Sequence, residues 1–74
     1  MYVNGDKYDG QWIDDMKYGV GTQEYANRDK YTGEWRDSKR DGKGIQSYNN
    51  GDKYDGYWID DKRSGQGTLL YYIT

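Results

Sequence analysis

The sequence contains no cysteine, histidine, proline or phenylalanine. Without cysteine the chain can form no disulfide and carry out no thiol chemistry. Without histidine it lacks the most common general base, metal ligand and pH-sensitive side chain. We therefore expect no enzymatic activity, no cofactor and no metal site.

Aliphatic residues are also scarce. Only eight of the 74 residues are Leu, Ile or Val, a share typical of disordered chains. The aromatic content favours the opposite interpretation, because three Trp and ten Tyr make up 18% of the chain, and eleven Gly supply backbone freedom. We expect a folded domain whose core is built from aromatic rings.

Charge and hydropathy narrow the range of partners. The formal net charge is −2, and no basic block is present that could follow a phosphate backbone, so nucleic acid is not an expected partner. No apolar run approaches the roughly 18 residues of a membrane span, and the N-terminus has no apolar signal-peptide segment. We expect a cytoplasmic protein.

One pattern dominates the sequence, a unit that recurs every 23 residues. Eight columns match at this offset, which predicts a repeat protein with a partial leading repeat, 1–7, and three repeats, 8–30, 31–53 and 54–74. The aromatic columns hold Tyr8, Tyr31 and Tyr54; Trp12, Trp35 and Trp58; and Tyr25, Tyr48 and Tyr71. The glycine columns hold Gly10, Gly33 and Gly56, and the Gly-x-Gly pairs Gly19 and Gly21, Gly42 and Gly44, and Gly65 and Gly67.

The alternation of residues within a repeat predicts a β-hairpin. In the first repeat, the alternate positions of Tyr8, Gly10 and Trp12 indicate one strand. A second strand is expected to run from Gly19 to Tyr25, after a polar connection over residues 14–18. Rows of glycine leave slots in which rings from neighbouring strands can lie. We therefore predict an all-β fold, a single-layer antiparallel β-meander of consecutive hairpins with six to seven strands.

The link between repeats carries a strong turn signal. Asn4-Gly5 and Asn50-Gly51 are typical of the two-residue type I′ turn, in which both central residues have positive φ. Asn27-Arg28 occupies the equivalent place, where Arg28 would be strained by about 1–2 kcal/mol. We expect these pairs to form the turns between repeats.

The motif Tyr-x-Gly-x-Trp, followed seven residues after the Trp by Gly-x-Gly and recurring every 23 residues, resembles the MORN repeat (membrane occupation and recognition nexus). The resemblance covers essentially the whole chain and implies a MORN-repeat solenoid. Some residues depart from the family pattern, and the two Gln among them are expected to thin the apolar face. Asp15, Ser38 and Asp61 replace a common Gly; Tyr18, Asp41 and Ser64 replace a frequent His; Gln23 and Gln46 replace an apolar residue that Leu69 retains.

The resemblance also implies a function. MORN proteins often serve as structural parts of cytoskeletal and ciliary assemblies, radial spokes among them, or form homodimers. This predicts a non-enzymatic protein–protein interaction or scaffolding module, associated with the cytoskeleton or a cilium. We interpret the aromatic columns first as the core of the sheet. Ring surface that stays uncovered is predicted to anchor a partner protein along the sheet face.

Two alternative functions use the same residues. The family name implies binding of phospholipid head groups at a membrane surface, but flanking Asp residues and the net negative charge make this the weaker hypothesis. The other alternative is capture of a sugar or quaternary ammonium ligand in a Tyr/Trp cage. The candidate lipid-binding residues are Lys7, Lys30, Lys53, Lys39, Arg40, Lys62 and Arg63.

The ends of the sequence add a further expectation. In a single-layer sheet of three short repeats, much of each face is exposed to solvent. We therefore expect the chain to belong to a longer array or to be stabilised by partners. The most apolar run, residues 69–73, predicts a C-terminal strand edge that pairs with another chain, a second copy included. A missing further repeat would explain the same run.

Overall fold

The computed structural model describes residues 2–3 and 5–71, with side chains described from residue 5 onward. These residues form one antiparallel sheet, in which each strand pairs with the next along the chain. The prediction of a single-layer β-meander is confirmed. The seven strands are β1 (Tyr2–Val3), β2 (Asp6–Ile13), β3 (Met16–Glu24), β4 (Lys30–Arg36), β5 (Lys39–Ser47), β6 (Lys53–Ile59) and β7 (Lys62–Leu70).

The sheet is thin, with principal extents of 41 × 28 × 14 Å. Within the described ranges there is no helix with the length and hydropathy needed to cross a membrane. Asn4, part of one predicted turn, and Tyr72 and Ile73, the end of the apolar C-terminal run, lie outside the described residues.

Two-residue turns join the strands within each repeat. Asp14 and Asp15 have φ of 50° and 63°, and positive φ at both central residues is the mark of a type I′ turn. The polar connection predicted over residues 14–18 is therefore only two residues long, and the second strand begins at Met16 instead of Gly19. The equivalent turns are Asp37-Ser38 and Asp60-Asp61.

The prediction of type I′ turns between repeats was wrong for the two loops whose residues are all described, those after Tyr25 and Tyr48. After β3, the Arg28 amide donates to the Tyr25 carbonyl and the Tyr25 amide donates to the Asp29 carbonyl, each at 2.8 Å, which encloses a three-residue loop. Arg28 alone has positive φ in this loop, 78°, as Gly51 alone has, at 98°, in the equivalent loop after Tyr48. This is the pattern of a type I turn followed by one left-handed residue, so the preceding Asn needs no positive φ.

Arg28→Gly is expected to stabilise the fold. The left-handed backbone costs an L-residue about 1–2 kcal/mol, and glycine avoids this at an entropic cost of about 0.5–1 kcal/mol. The net gain should raise Tm by about 2–8 °C in a thermal unfolding experiment. Gly51→Ala, the reverse change in the equivalent loop, should lower Tm. Equal Tm values for the two variants and the wild type would contradict the claim that the backbone of Arg28 is strained.

A row of directly paired glycines crosses the sheet from β2 to β7. A Cβ added to Gly10 would come within 2.6 Å of the Tyr8 Oη, and one added to Gly21 would overlap the same ring. Each tyrosine ring therefore lies over a glycine of its own strand and one of the neighbouring strand, which confirms the predicted slots. The row consists of Gly10, Gly21, Gly33, Gly44, Gly56 and Gly67.

The first glycine of each Gly-x-Gly pair has a different role. Gly19, Gly42 and Gly65 have φ of 67°, 101° and 62°, and the register of each hairpin shifts beside them. Such a bulge requires a residue that tolerates positive φ. The predicted alternation of the second strand therefore begins only at Gly21, because the bulge changes which face the preceding residues occupy.

Six rings on one face form a continuous chain of edge-to-face contacts. Centroids of successive rings are 4.9–5.6 Å apart and the ring planes meet at 81–90°. Such pairs contribute about 0.5–1.5 kcal/mol each beyond their burial. All of the rings except Trp12 are at most 5% exposed, so they form the core of the sheet. In spatial order this aromatic row is Trp12, Tyr8, Trp35, Tyr31, Trp58 and Tyr54.

Candidate functional site

The tryptophans join each repeat to the preceding one. Trp35 Nε1 donates to the Gly21 carbonyl at 3.0 Å, and Trp58 Nε1 donates to the Gly44 carbonyl at 3.3 Å. Trp12 makes no such hydrogen bond within residues 5–71 and is 40% exposed. The tryptophan column therefore contains two buried structural rings and one accessible ring.

Three cationic side chains, those of Lys17, Arg40 and Arg63, lie in a column over the aromatic row. They were not recognised as a column from the sequence. Lys17 Nζ lies 4.9 Å from the centroid of the Trp35 ring, and the Arg40 guanidinium lies 4.3 Å from that of Trp58. Arg63 completes the column. Cation–π contacts of this kind contribute about 0.5–2 kcal/mol. The 23-residue spacing of the three cations is the signal that could have shown them to be part of the repeat.

The two glutamines that depart from the family pattern are buried beneath these cations. Lys17 Nζ donates to Gln23 Oε1 at 2.5 Å, and Arg40 Nη1 donates to Gln46 Oε1 at 3.0 Å. A buried amide is tolerated when it is hydrogen-bonded. The glutamines thus complete the core through hydrogen bonds instead of opening it. Leu69, at the same position of the third repeat, is exposed.

Burial changes the acidity of several side chains. Desolvation raises the pKa of Tyr31 to about 12, against a smaller lowering by the Arg40 charge. Desolvation also raises the pKa of Tyr8 and of Tyr25, and it lowers the pKa of Lys17. Burial therefore favours the neutral form of the hydroxyls of Tyr8, Tyr25 and Tyr31.

Stability is expected to fall as the pH rises from about 10 to about 12. In this window the unfolded chain loses the Tyr31 proton while the folded chain keeps it, so a rise in pH favours unfolding. The effect is absent below about pH 10, and a rise of about two pKa units corresponds to about 2–3 kcal/mol. Urea unfolding at about pH 8 and pH 11.5, followed by Trp fluorescence, measures the fall. Tyr31→Phe, which cannot ionise there, should show a smaller fall; an equal fall would contradict the assignment.

The third aromatic column lies beside the aromatic row, next to the loops that link the repeats. Tyr25 and Tyr48 are half-buried and pack against the core, whereas Tyr71 is exposed. Of the nine aromatic residues predicted to contact a partner, these three and Trp12 keep accessible surface. The other five are the buried members of the aromatic row.

Two grooves lie between successive residues of this tyrosine column. Their volumes are about 430 and 360 Å³. They are equivalent sites one repeat apart, because corresponding residues line both. The lining includes Asp6, Tyr25, Asp29, Arg40, Gln46 and Tyr48 in the first groove, and Asp29, Tyr48, Asp52, Arg63, Leu69 and Tyr71 in the second.

Aspartates form the rim of both grooves. Asp6 Oδ1 accepts a hydrogen bond from the Ala26 amide and Asp29 Oδ1 accepts one from the Asn49 amide, each at 2.8 Å. Each aspartate thereby ties its repeat to the following loop. Asp52 is the third member of the column. The rim is both a structural link and a line of negative charge along the grooves.

Arg40 is a fixed part of the first groove. Its Nε lies 3.0 Å from Asp61 Oδ1, and its Nη2 donates to the Asp61 carbonyl at 2.8 Å. These bonds pair the guanidinium with the Asp61 carboxylate and hold it in place. Arg40 was a candidate for lipid binding, and the structure places it in the groove lining over the core.

The two grooves carry chemical groups that suit a binding surface. Aromatic rings, amides and carboxylates line them. No group of three or more acidic residues within residues 5–71 is placed to hold a metal ion.

A family model matches most of the chain. The MORN repeat model matches the consecutive segments 8–30, 31–53 and 54–73. No match was found among curated proteins. Each matched segment contains one Tyr-x-Gly-x-Trp motif and one Gly-x-Gly pair, which build the aromatic row and the glycine row. The chain therefore belongs to the MORN-repeat family.

Proposed function

We propose that the chain is a non-enzymatic protein–protein interaction module that holds an elongated segment of a partner protein along its tyrosine column. The observation that carries this proposal is the pair of equivalent grooves one repeat apart. The half-buried Tyr25 and Tyr48 and the exposed Tyr71 form their walls, and aromatic side chains with accessible surface are preferred anchors in protein interfaces.

The spacing of the grooves limits the partner. Two strands per repeat, about 4.8 Å apart, place equivalent positions about 10 Å apart. Residues i and i+3 of a polyproline II segment lie on one face about 9 Å apart, and residues i and i+7 of an α-helix lie on one face about 10.5 Å apart. A segment with apolar side chains at either interval can place one side chain in each groove.

The rim charge adds a second requirement. Asp6 and Asp29 line the first groove, and Asp29 and Asp52 line the second. Lys or Arg residues beside the apolar anchors of the partner would face these carboxylates, which would fix the register and direction of the bound segment. The resemblance of the chain to MORN proteins further supports a role as a structural part of a larger cytoplasmic assembly, of the cytoskeletal or ciliary kind.

Affinity capture from the lysate of the source cell tests this function. Tyr48→Ala removes the wall that the two grooves share, and Tyr18→Ala is the matched control, an exposed tyrosine that lines neither groove. At about 300 mM salt, where exposed charge pairs are largely screened, wild type and control should recover a partner near stoichiometry. Recovery by Tyr48→Ala should fall at least about tenfold. Equal recovery by both variants, or none by wild type, would contradict the proposal.

Phospholipid head-group binding is the alternative. Lys7, Lys30 and Lys53 are exposed and lie in one row across the sheet. Glu24 pairs in register with both Lys7 and Lys30, and its Oε2 lies 3.9 Å from Lys7 Nζ. Binding to anionic vesicles that disappears as salt rises from about 50 to about 500 mM, with no protein captured, would favour this alternative.

A further inference from the structure

The bulge of each hairpin carries a backbone amide on the face of the sheet opposite the aromatic row. In the first repeat, the Val20 amide donates to Gln11 Oε1 at 2.8 Å. In the second repeat, the Lys43 amide donates to Glu34 Oε2 at 2.5 Å. In both repeats the acceptor is a side chain from the first strand of the same hairpin, so each hairpin supplies the partner of its own bulge amide.

The third repeat lacks this acceptor. Tyr57 stands where Gln11 and Glu34 stand in the other repeats, and its side chain has no amide or carboxylate oxygen. A Cβ added to Gly42 would lie 2.6 Å from Glu34 Oε2, whereas one added to Gly65 would meet nothing within 4 Å. The space that a carboxylate fills in the second hairpin is therefore open in the third, and Tyr57 itself is the cause.

A groove of about 580 Å³ lies at this open space, and we call it the bulge groove. We propose that it binds a glutamate side chain of a partner protein, whose carboxylate meets the Gln66 amide as the Glu34 carboxylate meets the Lys43 amide. The bulge groove lies on the opposite face from the tyrosine column, so it is independent of the function proposed above. The lining includes Lys43, Asp55, Tyr57, Gly65, Gln66 and Thr68.

A cation beside the bulge groove favours a carboxylate over a neutral amide. Lys43 pairs in register with Tyr57, so the two side chains project from the same face next to each other. Val20 has the equivalent place beside Glu34, where the carboxylate belongs to the chain itself. Lys43 is exposed and takes part in no ion pair among residues 5–71. A carboxylate in the bulge groove would therefore gain an N–H donor and a nearby positive charge.

Two residues of the lining limit what can bind. The Tyr57 ring is 52% exposed and offers apolar surface to the methylene groups of a glutamate side chain. Asp55 lies two residues earlier on β6, about 7 Å along the strand, and its charge opposes a second carboxylate nearby. The bulge groove therefore suits a single glutamate flanked by neutral or basic residues, and not an acidic run.

Amide chemical shifts measured by ¹⁵N NMR test the proposal. The probe is the peptide acetyl-Ala-Glu-Ala-amide, added to about 50 mM at constant ionic strength, because one ion-paired side chain binds with millimolar affinity or weaker. The Gln66 amide should shift saturably, and the Val20 and Lys43 amides should not. Half-saturation by sodium acetate, or by the same peptide with Gln in place of Glu, should need a concentration at least about threefold higher.

Reciprocal substitutions provide the matched controls. Tyr57→Glu supplies the carboxylate from within the third hairpin, so the Gln66 amide should no longer respond to the peptide. Glu34→Tyr with Val20→Lys rebuilds the bulge groove in the second repeat, so the Lys43 amide should begin to respond. Lys43→Gln in the wild-type background should weaken binding at Gln66 by about threefold.

Three results would overturn the proposal. The first is a Gln66 amide that the peptide does not shift. The second is a folded Tyr57→Glu variant that responds as wild type does. The third is acetate that binds as tightly as the peptide, which would indicate a site for small carboxylic acids. Unchanged indole N–H shifts of Trp35 and Trp58 establish that a variant is folded, and Tyr57→Gln, which copies Gln11, replaces Tyr57→Glu if it is not.

Discussion

Gly44→Ala is expected to unfold the sheet. The added Cβ would overlap the Oη and Cζ of Tyr31, far inside van der Waals contact. Tyr31 is fully buried between Trp35 and Trp58, so its ring cannot move aside. Displacing such a ring costs about 3–5 kcal/mol, which is comparable with the whole stability of about 4–11 kcal/mol expected for a chain of this length.

Gly65→Ala is the matched control for this change. Its added Cβ meets nothing within 4 Å, and only the φ of 62° opposes it, at a cost of about 1–2 kcal/mol. Near-ultraviolet circular dichroism and urea unfolding followed by Trp fluorescence compare the two variants. A folded Gly44→Ala protein, or equal losses in both, would show that the rings do not need the glycine slots.

Trp35→Ala is expected to lower the free energy of unfolding by about 3–5 kcal/mol. The ring is buried, and its centroid lies 5.6 Å from that of Tyr8 and 5.0 Å from that of Tyr31. Its Nε1 also donates to the Gly21 carbonyl. The substitution therefore breaks the aromatic row at its middle and removes the hydrogen bond that joins two repeats.

Trp12→Ala removes the exposed member of the tryptophan column. The Trp12 ring contacts only Tyr8 in the aromatic row. Its loss should be about 1–2 kcal/mol, because the ring makes one edge-to-face pair and is only partly covered. Trp35→Phe should fall between the two, because it keeps an aromatic ring and loses the hydrogen bond. Urea unfolding of the three variants gives the order. Equal losses for Trp35→Ala and Trp12→Ala would contradict the difference between core and accessible tryptophans.

The repeat made most of the fold predictable. The same side chains recur every 23 residues, within stretches in which polar and aromatic residues alternate. They can all lie on one face of the sheet only if the strands form a regular meander. The sequence also predicted that rings lie in glycine slots of neighbouring strands, as Tyr8 does over Gly21, but not that the Tyr8 ring also covers Gly10 of its own strand. These patterns are local, so they can be recognised in the sequence without knowledge of strand pairing.

The turns were less predictable because two loop types share one signal. A type I′ turn and a three-residue loop both place a left-handed residue after an Asn, so Asn50-Gly51 cannot distinguish them. The true type I′ turns have Asp and Ser at positions with positive φ, as at Asp14-Asp15. The bulge at Gly19 also changes which face the neighbouring residues occupy. Because this interrupts the alternation, the start of β3 at Met16 could not be predicted from the pattern.

The grooves and the cation column depend on contacts between repeats. In a sequence, Arg40 and Gln46 are typical of solvent-exposed positions. Only pairing of the strands shows that Arg40 lies over a tryptophan of the next repeat and that Gln46 accepts its hydrogen bond. The grooves likewise exist only because Tyr25 and Tyr48 are neighbours one repeat apart in space.

Five rings of the aromatic row form a closed core, and among the nine aromatic residues of the repeat columns accessible ring surface is confined to Trp12 and the tyrosine column. Hydroxyl-radical footprinting of the native chain in dilute solution, with oxidation measured at each residue by mass spectrometry, tests it most directly. Trp12 and Tyr71 are expected to oxidise several-fold faster than Trp35 and Trp58. Oxidation of all three tryptophans at the same rate would contradict it, because the rings would then form an open binding face instead of a core.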